Sequence, residues 1–134
     1  MYKLISSARW KEESAIDFVF ASAQIEGNTY SRADTIALLK LGKTANDKCF
    51  TDALMIVNLR AAYDYILANS DLVLINPLLE LQHYHKILMR GILDDCELGI
   101  TRKTKGVIIG GSDYIPLSGI TSLNREMEFL IILR

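Results

Sequence analysis

One stretch is central to the fold of this chain: Ser22-Ala23-Gln24-Ile25-Glu26-Gly27-Asn28. It predicts where the first helix ends and the chain turns. Apolar and small residues dominate positions 15–25, and Gly27 and Asn28 follow. Glycine and asparagine best tolerate the left-handed backbone conformation that closes many helices. Glu26 is therefore placed in the last turn, at the negative end of the helix dipole. A carboxylate there is either solvated or held for the cation of a partner.

Composition limits the function classes. The chain has 134 residues, which suits one domain, and its net charge of −1 gives no electrostatic reason to bind nucleic acid or an anionic membrane. Cys49 and Cys96 are not in a Cys-x-x-Cys pattern, so we expect free thiols in a reducing compartment. No apolar run reaches the roughly 18 residues of a membrane span, and the start lacks a signal-peptide core. We therefore expect a cytoplasmic protein.

Hydrophobic periodicity predicts a mainly α-helical fold. The predicted helices cover, in chain order, 9–25, 31–41, 44–67 and 77–89, with a last one from 121 or 122. Ser31, with Asp34 three residues on, predicts a helix start, as does Asn76 before Pro77, and Gly42 predicts an end. Residues 72–75 are too few to classify.

Helical spacing also predicts which side chains are buried. The expected inward faces are those of Ile16, Val19, Phe20 and Ala23, extended by Trp10, then Phe50, Leu54, Val57 and Ala61, and finally Leu78, Leu81, His85 and Leu88.

After Gly91 the pattern changes. Residues 106–109 are β-branched and strand-like, 110–113 form a glycine-rich turn and 114–116 extend again, which predicts a short hairpin over 106–116. The last helix ends on the apolar run 129–133. Domain ends seldom carry such a run, so we expect this helix to continue, to dock on a partner or to self-associate. The expected organisation is one incomplete domain with four parts. These are the first helix and its end over 1–30, a helical core over 31–105, the hairpin over 106–116 and a truncated last helix over 117–134.

The sequence offers little metal or nucleophile chemistry. His83 and His85 point about 200° apart on a helix and cannot chelate one metal, so one is expected to be bonded and the other solvated. The amides of Gly110-Gly111-Ser112 could hold an anion, but no helix follows them and no lysine stands at P-loop spacing. A hairpin turn is the favoured interpretation, and we assign neither a metal site nor a catalytic residue.

Five segments, in order, resemble Fic proteins, enzymes that move AMP from ATP onto hydroxyl side chains of other proteins. Ser22, Glu26 and Gly27, extended by Asn28, match the inhibitory helix end [Ser/Thr]-x-x-x-Glu-[Gly/Asn]. Tyr84 takes the place of leucine in the Leu-His-x-x-Leu signature at 84–88. The remaining matches are 52–63, the Gly-x-x-Arg loop at 99–102 with the hairpin called the flap, and the helix within 116–130.

The resemblance implies a Fic-like helical bundle that uses ATP and Mg²⁺ and modifies a protein target. It implies that Glu26 inhibits by pairing with the second arginine of the signature His-Pro-Phe-x-x-Gly-Asn-Gly-Arg-x-x-Arg and by crowding the γ-phosphate. The flap residues Val107, Ile108, Ile109, Gly110 and Gly111 would dock the target segment by strand addition.

The signature itself is absent, since the sequence contains no His-Pro pair. We therefore expect a Fic domain whose C-terminal part is missing, inactive alone because it lacks the general base and the phosphate-binding turn. Two alternatives stay open. The first alternative is a regulatory, antitoxin-like module that binds a separate catalytic part. The second is a helical protein-interaction domain without Fic ancestry.

Overall fold

The fold is mainly helical, as predicted. The computed structural model describes residues 2–100 together with Gly110, Gly111, Asp113, Asn124 and Arg125, with side chains from Ser7 onward. The helices in this part are α1 (Tyr2–Ile25), α2 (Arg32–Leu41), α3 (Phe50–Ala68), α4 (Leu72–Ile75) and α5 (Pro77–Met89), followed by a 3-10 turn at Asp95–Glu97. No strand occurs in these residues, and none of their helices has both the length and the apolar character needed to cross a membrane.

Helix α3 is the centre of the bundle. It packs against α1, α2 and α5, whereas α4 contacts α5. The core cluster joins α1, the linker, α2 and α3 through Val19, Ala23, Tyr30, Leu38, Ala53 and Ile56. Val19 and Ile56 are fully buried, and each such side chain contributes about 1.5–3 kcal/mol of hydrophobic stabilisation.

The predicted limits of α2 and α5 are confirmed. Ser31 Oγ accepts a hydrogen bond from Asp34 N at 3.0 Å, and Asp34 Oδ2 accepts one from Ser31 N at 3.3 Å, so this aspartate completes a capping box. Asn76 Oδ1 accepts a hydrogen bond from the amide of Leu79 at 3.2 Å, directly before Pro77. Local capping chemistry therefore fixes both helix starts.

Two predicted helix starts need correction. α1 begins at Tyr2 rather than near residue 9. Residues 72–75, which the sequence pattern left unclassified, form a short helix. α3 begins at Phe50 rather than at 44, because the preceding residues are held in a turn. The amide of Ala45 donates to the hydroxyl of buried Tyr30 at 3.1 Å, and Lys48 N donates back to Ala45 O at 3.3 Å.

The inward face predicted for α3 is wrong, although the face of α1 is confirmed for Ile16, Val19 and Ala23. Phe50 is 76% exposed and Val57 is 45% exposed. Helices pack against α3 on several sides, so no single apolar stripe marks its buried positions. Those positions are instead Ala53, Ile56, Asn58 and Ala62. Trp10, expected to extend the face of α1, is 68% exposed.

Two polar residues tie α3 to its neighbours. Asn58 is buried, and its Nδ2 donates to the carbonyls of Leu88 and Arg90 at 3.0 and 2.8 Å, which satisfies the C-terminal end of α5. Arg60 makes a two-pronged contact with Glu12 of α1, at 3.1 and 2.9 Å. These links fix the positions of α1 and α5 on α3.

Much of the C-terminal prediction lies outside the described residues. Gly110 and Gly111 form a turn, with Gly111 at φ 76°, as the glycine-rich pattern predicts. The strands expected on either side of that turn are not among the described residues. Of the helix expected over 117–134, Asn124 and Arg125 are described and are helical. The division of 1–134 into four parts stays a prediction.

The Glu12–Arg60 pair predicts a pH-dependent contribution to stability. The hydrogen bond from Arg60 lowers the pKa of Glu12, against the opposing effect of burial. A lowered pKa stabilises the fold above the unfolded-state value of about 4.3, and this contribution is lost as pH falls through the lower folded value. Since Glu12 is 44% exposed, screening limits the pair to about 1 kcal/mol.

We expect Glu12→Gln to cost that amount at pH 7 and the two proteins to converge in acid, measured by urea unfolding from pH 7 to pH 2. Glu97→Gln is the control, because Glu97 is exposed and has no described side-chain partner. A Glu12→Gln deficit that stays constant over this range would contradict the charge-pair explanation.

Candidate functional site

The end of α1 is closed as the sequence predicts. Gly27 has φ 82°, and its amide donates to Gln24 O at 3.0 Å. The amide of Asn28 donates to Ala23 O at 2.9 Å. These two bonds form a Schellman motif, which requires a residue in the left-handed region at position 27. The direction in which the chain leaves α1 is therefore fixed by backbone hydrogen bonds.

Glu26 combines a fixed backbone with a free carboxylate. Its amide donates to the carbonyl of Ser22 at 3.3 Å, while its side chain is exposed. In the described part of the chain, the carboxylate makes no hydrogen bond or ion pair. An acid at this end of a helix is disfavoured by the dipole, so a cation that approached it would relieve an existing cost. The arrangement can bind a guanidinium or ammonium group.

The side chain of Asn28 ties this helix end to α3. Its Nδ2 donates to the carbonyl of Asp52 at 2.8 Å and lies 3.5 Å from Met55 Sδ. Its Oδ1 accepts from the amide of Tyr30 at 2.9 Å, which turns the chain towards α2. The site is thus supported by the first turn of α3.

Thr29 makes a second tie to the same turn. Its amide donates to Asp52 Oδ2 at 3.2 Å, and its hydroxyl donates to the same oxygen. Asp52 lies in the first turn of α3, where the helix dipole favours a negative charge. The carboxylate is therefore well placed to accept both bonds. Asn28 and Asp52 bring together two of the segments singled out in the sequence.

The remaining predicted site residues are only partly described. Gly110 and Gly111 are exposed in their turn, and Val107, Ile108 and Ile109 lie outside the described residues. The docking role of these five residues stays a prediction.

The two histidines behave as their spacing predicts. His85 is half-buried, and its Nδ1 accepts a hydrogen bond from the amide of Gly99 at 3.0 Å. His83 is exposed, and its ring stacks on Tyr65 with centroids 5.0 Å apart. No group of three or more potential metal ligands occurs in the described residues. Through its hydrogen bond with Gly99, His85 positions the loop that follows α5.

The structure adds a buried carboxylate that sequence reasoning missed. Glu80 is 6% exposed and accepts a hydrogen bond from the hydroxyl of Tyr65 at 3.1 Å. Burial, and then this bond to Glu80, raise the pKa of Tyr65. Glu80 lies in the first turn of α5, where an acid is ordinarily a solvated residue. Nothing in its sequence context distinguishes it from such an acid.

An apolar groove lies between α1, α3 and α5, away from the helix end. It has a volume of about 350 Å³ and is lined by Phe18, Leu59, Ala62, Tyr63, Ile66, Leu67 and Leu88. Phe18 is 53% exposed and Leu67 is 63% exposed, so apolar surface remains open to solvent at its rim. Such a groove can accept apolar side chains of another segment.

No protein-family model matches the chain. The chain is 33% identical, over 137 aligned residues, to a protein adenylyltransferase Fic from Culex quinquefasciatus. The alignment covers 92% of this chain and 26% of that protein. The chain thus spans about a quarter of the length of the curated relative that it matches. The similarity extends over nearly all of the chain and supports membership of the Fic family.

Gly99 provides a test of how the loop after α5 is positioned. A Cβ at Gly99 would lie 2.7 Å from the carbonyl oxygen of Gln82, and its φ is +70°. Gly42 has nearly the same φ, +68°, but open space around it. We expect Gly42→Ala to cost about 1–2 kcal/mol from the left-handed backbone alone, and Gly99→Ala to cost at least about 1 kcal/mol more. Equal losses in urea unfolding would show that Gly99 does not pack on α5.

Proposed function

We propose that this chain is the inhibitory-helix portion of a Fic-type protein adenylyltransferase, in which Glu26 restrains AMP transfer. The observation that supports this most directly is that Glu26 presents an exposed carboxylate, without a partner among the described residues, on a helix end whose backbone is fixed. The match of Ser22, Glu26 and Gly27 to the inhibitory pattern, and the 33% identity to a protein adenylyltransferase, support the same assignment.

The chemistry of Glu26 suits an arginine partner. A guanidinium can bind a carboxylate through two parallel hydrogen bonds, and charge-assisted bonds of this kind are among the stronger ones in proteins. Pairing would also offset the unfavourable position of Glu26 at the negative end of α1. In the proposed enzyme, this arginine is the second one of the Fic signature. The pair would hold the glutamate where the γ-phosphate of ATP has to lie.

This chain has no residue to which we assign a step of AMP transfer. The sequence contains no His-Pro pair, and the described residues hold no cluster of three metal ligands. ATP and Mg²⁺ accordingly belong to the complete enzyme, and we expect this chain alone to be inactive. Val107, Ile108, Ile109, Gly110 and Gly111 are proposed to dock the target protein segment.

A second candidate is a regulatory module that binds a separate catalytic part in trans. The apolar groove favours it, because Phe18 and Leu67 at its rim remain exposed in this chain and could accept a helix of another polypeptide. Glu26 would have the same role in this case. The two candidates differ in whether the partner arginine belongs to the same polypeptide.

A chimera tests the inhibitory role. The Culex relative is expressed with this chain in place of its aligned segment, and AMP transfer is measured from ATP labelled at the α-phosphate. We expect Glu26→Gln to raise labelling at least about tenfold, because it removes a charge-assisted pair. Glu13→Gln is the matched control, an exposed glutamate on the same helix that pairs with Arg9 on the surface.

Equal labelling by the unsubstituted chimera and by its Glu26→Gln variant would overturn the inhibitory role. Absence of labelling in every chimera, with the parent enzyme active, would overturn the assignment of this chain to a Fic-type enzyme.

A further inference from the structure

Asn28 contributes both its backbone and its side chain to the end of α1. Its amide closes the helix by donating to Ala23 O at 2.9 Å. Its side-chain amide group spans the linker and α3, with Nδ2 donating to Asp52 O at 2.8 Å and Oδ1 accepting from Tyr30 N at 2.9 Å. One half-buried residue thus joins three segments of the chain.

Asp52 is the residue of α3 that accepts the hydrogen bonds from this helix end. Its backbone carbonyl accepts from Asn28, and its carboxylate accepts from both the amide and the hydroxyl of Thr29. We refer to Asn28, Thr29 and Asp52 as the clamp. The carboxylate lies at the positive end of the α3 dipole, which favours the negative charge that accepts these two bonds.

The clamp leaves the end of α1 little freedom to rotate. The next residue, Tyr30, is 3% exposed, and its hydroxyl accepts from Ala45 N at 3.1 Å, so the linker is anchored immediately after the clamp. A rotation of α1 about its axis would move Glu26 sideways, but it would also break the bonds from Asn28 to α3. A functional group needs to be held within about 0.5 Å to act efficiently.

We propose that Asn28 is the positioning residue for Glu26, and that the clamp couples the first turn of α3 to the inhibitory carboxylate. The proposal rests on the inhibitory role of Glu26 proposed above. The proposed role of Asn28 requires no direct contact with nucleotide or target. It sets the position of the carboxylate relative to the bundle, so that loosening the clamp weakens inhibition while Glu26 is still present.

Asn28→Asp separates positioning from packing. The substitution keeps the size of the side chain and the acceptor for Tyr30 N, but it replaces the donor to Asp52 with an oxygen that faces the carbonyl. Asn46→Asp is the matched control, because Asn46 is exposed and makes no hydrogen bond among the described residues. Asn58→Ala controls for general destabilisation, since Asn58 bonds the end of α5 and not the clamp.

The first measurement uses the complete 134-residue chain and does not depend on the proposed function. Amide hydrogen exchange at Gly27 and Asn28 is followed by NMR under conditions in which all variants are folded. We expect Asn28→Asp to accelerate exchange at both amides at least about tenfold, and both controls to leave it within about twofold of wild type. Unchanged exchange in Asn28→Asp would overturn the clamp.

The second measurement asks whether the clamp acts through Glu26, using the chimera described above. Asn28→Asp is expected to raise AMP transfer about threefold to tenfold, and Asn46→Asp and Asn58→Ala to leave it unchanged. In the Glu26→Gln background, Asn28→Asp should add nothing, because the group that it positions is already gone.

The outcomes distinguish the two proposals. If Glu26→Gln releases activity and Asn28→Asp does not, the positioning role is wrong and the inhibitory role stands. If Asn28→Asp raises transfer equally with and without Glu26, the clamp does not act through the carboxylate and the inference fails. If no chimera responds to Glu26→Gln, the proposed function fails, while the exchange measurement still decides whether the clamp exists.

Discussion

The hydrogen bond from Asn28 to the carbonyl of Asp52 is the interaction on which the rest of the structure depends. It joins the end of the first helix to the start of the central helix, at 2.8 Å, across 24 positions of the sequence. Tyr30 follows at once and inserts into the core, and its hydroxyl holds the turn that delays the start of α3. The path of the chain from α1 through α2 to α3 is therefore set within a few residues.

Central placement of α3 explains why so many polar contacts end on it. The carbonyl of Asp52 accepts a hydrogen bond from Asn28 at the end of α1. Asn58 donates to the carbonyl of Leu88 at the end of α5, and Arg60 pairs with Glu12 in the middle of α1. Burying any of these polar groups without a partner would cost free energy. Each pair therefore favours the one packing of the helices in which it can form. Small residues at the buried positions Ala53 and Ala62 let the flanking helices approach closely.

Function in this chain is proposed to depend on a contrast between two nearby residues. The carboxylate of Glu26 is exposed and unpaired in the described part, whereas Asn28, two residues on, makes bonds to three segments. A rigid backbone below a free charged group is the arrangement that binding sites need, because little conformational entropy is lost when the partner arrives. In the proposed function that partner is an arginine, and the geometry of the helix end indicates how the carboxylate is held.

The sequence alone determined the local features. Gly27, Ser31 with Asp34, and Asn76 before Pro77 fixed helix limits, because capping and left-handed closure depend on neighbours within a few residues. Only the tertiary structure decided the inward face of α3, the burial of Glu80 and the reach of Asn28 to Asp52. Those depend on which distant segments meet, and periodicity along one helix carries no information about partners on its other sides. The motif was therefore readable from the sequence, whereas the support beneath it was not.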